Sequence, residues 1–416
     1  MPPSEPPTAP STSFAITEHV IESSHIREYA RATKPSPDCL KLVVKRYTPK
    51  SNPDPRPGDL TIIGTHGSGF PKELYEPIWE ELYFTLSSYG IRIRSIWLAD
   101  TANQNASGLL NEKVLGDDPS WFDHSRDLLY MINQFKNDMP QPIVGIGHSY
   151  GSGQLALLSL MHPRLFTSLI LIEPVIEKDI YTGVGPELVR YALARKNGWA
   201  SYEEAETHFK KLFKKWDARV LELWMKYGLK KTPPSSTSNT DTNTASSLTL
   251  KTHPYQEVNQ YLRANYEHKK PACGDADHAD IVGPDHTIAP FYRAEPLLLW
   301  RMLPHIRPSV LYFFGGASPS STPAKRNEKL ERTGVGVGGS GGYKIGRVKE
   351  VTIEGGTHQL PFEEVSRIAK ESAGWLRGEI ERWKEDDERV KKSWEVEPGN
   401  RVKDWHAPLK ESLRKN

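Results

Sequence analysis

The sequence predicts an α/β fold, with a mostly parallel central sheet, helices on both faces and one helical insertion. Three observations carry this. Short, β-rich apolar runs alternate with candidate helices through most of the 416 residues. One strand-to-helix junction carries the tight sequence Gly147-His148-Ser149-Tyr150-Gly151. The alternation then breaks between about residues 176 and 300, where the pattern reads mostly helical. Parallel strands need crossover connections, and these place helices over both faces of the sheet.

In chain order, residues 1–13 are rich in Pro, Ser and Thr and are expected to form a disordered tail. The strand-like runs are Leu40–Tyr47, Leu60–Gly64, Ile91–Leu98, Ile143–Gly147, Ser168–Val175, Ser309–Phe314 and Val348–Ile353. Candidate helices lie between most of them, at Lys72–Ser88, Trp121–Phe135, Gly153–His162 and Phe362–Lys384. Inside the insertion, Tyr202–Lys215 and Val220–Lys226 read as helices, and Thr232–Ser247 as a flexible Ser/Thr tract. Gly334–Gly342 lacks the Gly-Lys-Ser/Thr ending of a phosphate loop and reads as a linker. From Glu379 onward both charge signs mix, punctuated by Trp383, Trp394 and Trp405. The expectation there is a surface helix and strap anchored by tryptophans, with a partner-binding segment as the alternative.

Composition narrows the function classes. Lys and Arg number 54 against 52 Asp and Glu, so the chain carries no overall basic footprint for nucleic acid. No apolar run reaches membrane-spanning length. Cys39 and Cys273 make no disulfide framework, and a reducing, intracellular setting is consistent with that. The stretch Met1-Pro-Pro-Ser-Glu-Pro-Pro7 lacks the basic and apolar regions of a secretory signal. Arg414-Lys-Asn416 is not an SKL-type address. The expected location is cytoplasmic or peroxisomal. The oligomeric state stays open, a homodimer being one option.

The Gly147–Gly151 stretch supplies the chemistry. It follows the apolar run Pro142–Ile146 and precedes a helical run, the context of the nucleophile elbow of the α/β-hydrolase fold. Glycines on either side let strand and helix approach, leaving Ser149 at the tip of the turn. A serine hydroxyl needs a base, and the base needs an orienting acid. The chain order Ser, acid, His places the base after the last strand, which selects His358 in Glu354-Gly-Gly-Thr-His358. The commonest position for the acid follows the penultimate strand, but no carboxylate occurs from Ser309 to Pro323. Glu173, ending the apolar strand after the elbow, is therefore the expected acid, with Glu177 and Asp179 as rivals. The expected oxyanion hole combines the backbone amides of Tyr150 and Ser68, with Gly69 as fallback. His66 and His148 are expected to be structural rather than bases. No metal or redox cofactor is expected. The acid- and histidine-rich stretch Cys273–Asp280 matches no zinc or EF-hand spacing. Lys210, Lys211, Lys214 and Lys215, with Arg190, Arg195 and Lys196 upstream, form either a solvated helix face or a cationic mouth for an anionic substrate.

The expected organisation is a hydrolase core over 14–175 and 301–384, a helical lid over 176–300 and a charged tail over 385–416. The expected activity is hydrolysis of a small-molecule ester or thioester through an acyl-enzyme on Ser149. An acyltransferase or cyclising enzyme with the same triad, or a non-catalytic binding protein on the same scaffold, are the alternatives.

Three segments, Thr65–Pro77, Ala99–Glu112 and Trp121–Leu128, resemble a fungal α/β-hydrolase family of toxin and secondary-metabolite pathways. That family includes the peroxisomal acyl-CoA hydrolase of mycophenolic acid biosynthesis, and a yeast peroxisomal lipase is a more distant relative. The resemblance spans most of residues 40–375. It implies a Ser-acid-His triad with the acid after the strand that follows the elbow, where an aspartate is expected in the acyl-CoA hydrolase and this chain has Glu173. It also implies a helical lid over an acyl pocket and, in some members, peroxisomal targeting.

Overall fold

The computed structural model describes residues 13–35, 39–178, 185–232, 247–264, 291–395 and 398–414. The expected N-terminal tail before Ser13, most of the Ser/Thr tract and the Cys273–Asp280 stretch lie outside the described residues.

Eight strands make the central sheet. They are β1 (Phe14–Glu22), β2 (Lys41–Pro49), β3 (Leu60–Thr65), β4 (Ile93–Ala99), β5 (Ile143–His148), β6 (Ser168–Ile172), β12 (Ser309–Gly315) and β13 (Val348–Ile353). The short strands β7 (Gly198–Trp199), β8 (Leu229–Lys231), β9 (Leu248–Leu250), β10 (Arg263–Ala264) and β11 (Phe291–Tyr292) lie between β6 and β12. The order across the main sheet is β1-β2-β4-β3-β5-β6-β12-β13. β2 pairs antiparallel with both neighbours, and every other pairing is parallel. The sequence misses the short β7–β11, in the segment that reads as mostly helical, and of the eight main strands it misses β1. Its face is mostly exposed and Glu18, His19 and Glu22 interrupt its apolar residues, as an edge strand tolerates.

Burial explains the near-continuous apolar runs of the inner strands. Side chains alternate between faces, and here both faces are covered. Ile170 and Ile172 of β6 join a core with Leu82 and Leu86 of α1 (Glu76–Ser88) and Ala373, Leu376 and Ile380 of α12 (Val365–Ser393). Leu169 and Leu171 join a second core with Leu128 and Met131 of α3 (Trp121–Gln134) and Leu155 and Leu158 of α4 (Tyr150–Met161). A short helix α2 (Asn105–Asn111) follows β4.

Between β6 and β12 the chain forms α5 (Gly185–Ala194), α6 (Tyr202–Leu212), α7 (Ala218–Tyr227), α8 (Pro254–Tyr261) and α9 (Glu295–Met302). Aromatic packing fastens this cap to the core. Phe213 stacks on Trp216 with centroids 3.8 Å apart, and Trp216 lies 4.8 Å from Phe362.

Two expectations need correction. Gly334–Gly342 is a folded loop rather than a linker. It lies between α10 (Pro323–Arg332) and β13, and its amides bond the backbone carbonyls of Leu303, Pro304 and Ile306 at 2.8–2.9 Å. The charged tail has the expected helix but continues helical where a strap is expected: α11 (Leu360–Glu363) precedes the long α12, and α13 (Pro398–Arg414) follows. Trp383 is half-buried, but Trp394 and Trp405 are 70% and 76% exposed, which departs at those two positions from the tryptophan-anchored strap that the sequence suggests.

Candidate active site

β3 and β5 are neighbours, but β3 leads toward β4 on one side and β5 toward β6 on the other. Such a switch opens a crevice at the carboxyl ends of the strands. The loops following β3 and β5 meet there.

β5 ends at His148, Ser149 follows with φ 58°, and α4 begins at Tyr150. The fit tolerates no side chain at the flanking glycines. A Cβ on Gly147 would stand 2.9 Å from Cα of Ser152, and one on Gly151 would stand 2.6 Å from the His66 carbonyl oxygen. His358 lies in the loop after β13, which turns through Gly355 at φ 71°. Glu363 braces that loop by accepting from the amide and hydroxyl of Thr357 at 2.9 and 2.7 Å.

The three expected residues meet in a line. Nε2 of His358 lies 2.8 Å from Oγ of Ser149, and Nδ1 lies 3.0 Å from Oε2 of Glu173. Glu173 is fully buried and accepts from Gly315 N–H and Ser318 Oγ–H, both at 2.6 Å. Burial pushes its carboxyl pKa up, but hydrogen bonds and charge from His358, then Ser318 and Gly315, outweigh that and hold it below the usual value. Its rival Glu177 is engaged elsewhere, with Lys325 at 3.0 Å, and Asp179 lies outside the described residues.

Of the expected oxyanion donors, Tyr150 opens α4, so its amide lacks an intrahelical acceptor and sits at the positive end of the helix. The fallback Gly69 is committed, because its amide donates to Oε1 of Gln104 at 2.8 Å. The same Gln104 donates through Nε2 to Oγ of Ser68 at 3.1 Å. His66 is a buried loop residue. Its Nε2 accepts from Thr101 N–H at 3.0 Å, which leaves Nδ1 to donate to the Gly67 carbonyl at 2.8 Å.

Sequence reasoning missed several residues of this region. Gln104 lies within one of the three family-like segments, but nothing in its spacing marks a clamp on the loop after β3. Glu257 of α8 is buried against Gly69 and pairs with Arg195. Lys72 is fully buried and bonds Asp100 at 2.7 Å. The basic run is partly paired: Lys210 meets Glu206 at 2.9 Å, and Lys215 donates to the Gly355 carbonyl at 3.2 Å. Among the described residues no cluster of three metal-ligating side chains occurs, and no helix is long and apolar enough to cross a membrane.

Comparison with known proteins agrees with the fold and with the resemblance drawn above. The chain is 39% identical over 418 residues to a type I acyl-CoA thioesterase of Penicillium brevicompactum, mpaH, with 95% of each chain covered. It is 30% identical to the abhydrolase domain-containing protein ACTT2-1 of Alternaria alternata, over 57% of this chain and 84% of that one. The peroxisomal alpha-beta-hydrolase Lpx1 of Saccharomyces cerevisiae superposes with a TM-score of 0.65 at 18% identity, covering 97% of this chain and 99% of that one. The model of the alpha/beta hydrolase family matches residues 62–371, and with the greater part of its length so matched, the chain belongs to that family.

Proposed function

We propose that the protein is a serine-dependent acyl-CoA thioesterase. The observation that carries the reading is the unbroken line from Oγ of Ser149 through His358 to Glu173. The thioester class is supported by the similarity to the Penicillium thioesterases along nearly the whole chain.

In this reading Oγ of Ser149 attacks the acyl carbonyl carbon while Nε2 of His358 takes the hydroxyl proton. Glu173 accepts from Nδ1–H, fixing the tautomer and stabilising the imidazolium. The negative oxygen of the tetrahedral intermediate faces the Ser68 and Tyr150 amides. The carbon–sulfur bond then breaks, and the proton on Nε2 passes to the departing thiolate. Water next gives its proton to Nε2 as its oxygen attacks the acyl-serine. Collapse of that second intermediate releases the free acid and returns the proton to Ser149. Substrate and one water balance the two halves.

The test is fluorophosphonate labelling of wild type, Ser149→Ala and His358→Ala, followed by thiol release from a panel of acyl-CoA thioesters. Labelling and thiol release in wild type alone are expected. Thiol release that persists in Ser149→Ala would overturn the serine mechanism, and turnover of simple esters without acyl-CoA turnover would overturn the thioester class.

A further inference from the structure

A second chain of hydrogen bonds runs behind the triad. Tyr75 ends the short helical turn Lys72–Tyr75 ahead of α1 and is 2% exposed. Its hydroxyl accepts from the Gly67 amide at 2.8 Å and lies 2.8 Å from Nδ1 of His148. Nε2 of His148 lies 2.8 Å from the carbonyl oxygen of His358. These contacts join the loop after β3, which carries Ser68, to the loop after β13, which carries His358.

Chemistry fixes their direction. A carbonyl oxygen only accepts, so Nε2 of His148 carries the proton. Burial pushes this imidazole down to about 3, so it is neutral at physiological pH and Nδ1 is a bare acceptor. The Tyr75 hydroxyl therefore donates to Nδ1 and accepts from Gly67 N–H. All three bonds point one way, from Gly67 to His358.

Packing keeps water out of the chain. His148 is fully buried, with Phe362 edge-on at 5.5 Å and Phe70 stacked at 6.1 Å between centroids. A Cβ on Gly67 would stand 2.7 Å from Nδ1 of His148, so the loop and the ring touch with nothing between. In such a site each bond lacks a competing solvent partner, and an unmade one leaves a buried polar group unsatisfied.

We infer that Tyr75 and His148 are positioning residues, forming a single-tautomer strut that sets the spacing between the oxyanion loop and the catalytic histidine. The inference rests on the triad reading above. Acyl transfer requires the Ser68 amide and the His358 ring to be placed around Ser149 at the same moment, and small displacements cost rate steeply.

Tyr75→Phe is the decisive variant, because it removes one oxygen and keeps the ring. With an acyl-CoA substrate that wild type turns over, its kcat is expected to fall about 10- to 100-fold, with KM within about threefold of wild type. His148→Phe should fall at least as far, and the double variant no further, since both cut the same strut. His148→Gln retains an N–H donor and should recover activity relative to His148→Phe. Long-range proton–nitrogen spectra of labelled imidazoles in the wild type should show His148 as the Nε2–H tautomer, unchanged from pH 7 to pH 5. Wild-type kcat in Tyr75→Phe, or an Nδ1–H tautomer for His148, would overturn the strut. If His148→Phe does not fold, Tyr75→Phe and the wild-type spectra still decide. Ser149→Ala assayed alongside separates the two readings. Activity surviving in Ser149→Ala removes the triad, whereas an inactive Ser149→Ala beside a fully active Tyr75→Phe removes the strut alone.

Discussion

Ser149 and Glu173 each stand one residue beyond a register pair, His148 with Ile172, at the carboxyl ends of adjacent parallel strands. Both have positive φ, 58° and 48°, and the Ser149 amide donates to the Ile172 carbonyl at 2.9 Å. The proposed nucleophile and acid are thus side by side in the sheet, with His358 reaching over from the last strand. Glu173→Gln places an amide where three donors converge, so kcat is expected to fall by about 10³- to 10⁴-fold. Glu173→Asp shortens the arm that spans Gly315, Ser318 and His358, and about a 10- to 100-fold loss is expected. Steady-state thiol release checks both, and a Glu173→Gln enzyme of near wild-type kcat would refute the role.

Lys72 holds the β3–α1 connection together from inside. Its ammonium meets Asp100 at 2.7 Å and Glu73 at 3.2 Å, with both Lys72 and Asp100 fully buried. Glu73 keeps Lys45 at 3.0 Å, but Lys72→Met strands the buried Asp100 carboxylate without its cation, and stability should drop by about 3–5 kcal/mol. Urea denaturation reads this as a lowered midpoint at constant slope.

His124 is buried with neither ring nitrogen bonded to another described group, and burial pushes its imidazole down to about 3. The unfolded chain binds that proton below about 6.5 while the folded chain refuses it. Stability is therefore lost as pH falls through the window between the two values. Asp123, pushed up to about 6 by burial, works in the opposite sense, so the comparison must be between variants. In His124→Leu the stability lost between pH 7 and pH 5 should shrink by about 2 kcal/mol. Chemical denaturation at the two pH values decides it, and an unchanged difference would contradict a neutral His124.

Gly151→Ala should disturb the site without touching a reacting group. Its Cβ would lie 2.6 Å from the His66 carbonyl and 3.0 Å from Cβ of Thr65, forcing the loop after β3 away from α4. Overpacking of this kind costs about 1–3 kcal/mol, and kcat should fall more than stability. Thermal melts paired with kinetics measure both. Wild-type kcat in the variant would mean that the loop can yield harmlessly.

The sequence conveyed the parts of the molecule whose chemistry is local. Inner strands stand out because both of their faces are buried, as in Leu169–Ile172. Glu173 stands out because a carboxylate closing such a strand needs partners. Gly147 and Gly151 stand out because a tight strand-to-helix turn needs small residues. What could not be read depends on meetings between distant segments. Gln104 clamps Ser68 and Gly69 from 35 residues or more away, and Tyr75 reaches His148 across 73. The Gly-rich loop reads as a linker because composition reports backbone freedom but not the carbonyls of Leu303, Pro304 and Ile306 that absorb it. β1 hid behind the charges that keep an edge strand soluble.

The cap begins and ends at one stapled point. The Glu173 amide donates to the Phe313 carbonyl at 2.9 Å, and its carboxylate accepts from Gly315, so the chain's departure after β6 and its return on β12 are bonded together. Closing a longer excursion costs only logarithmically more entropy. Descendants of this scaffold can therefore lengthen, shorten or replace the excursion while the acid keeps its distance from His358. The length of the excursion and the position of the carboxylate are thereby set by separate stretches of the chain.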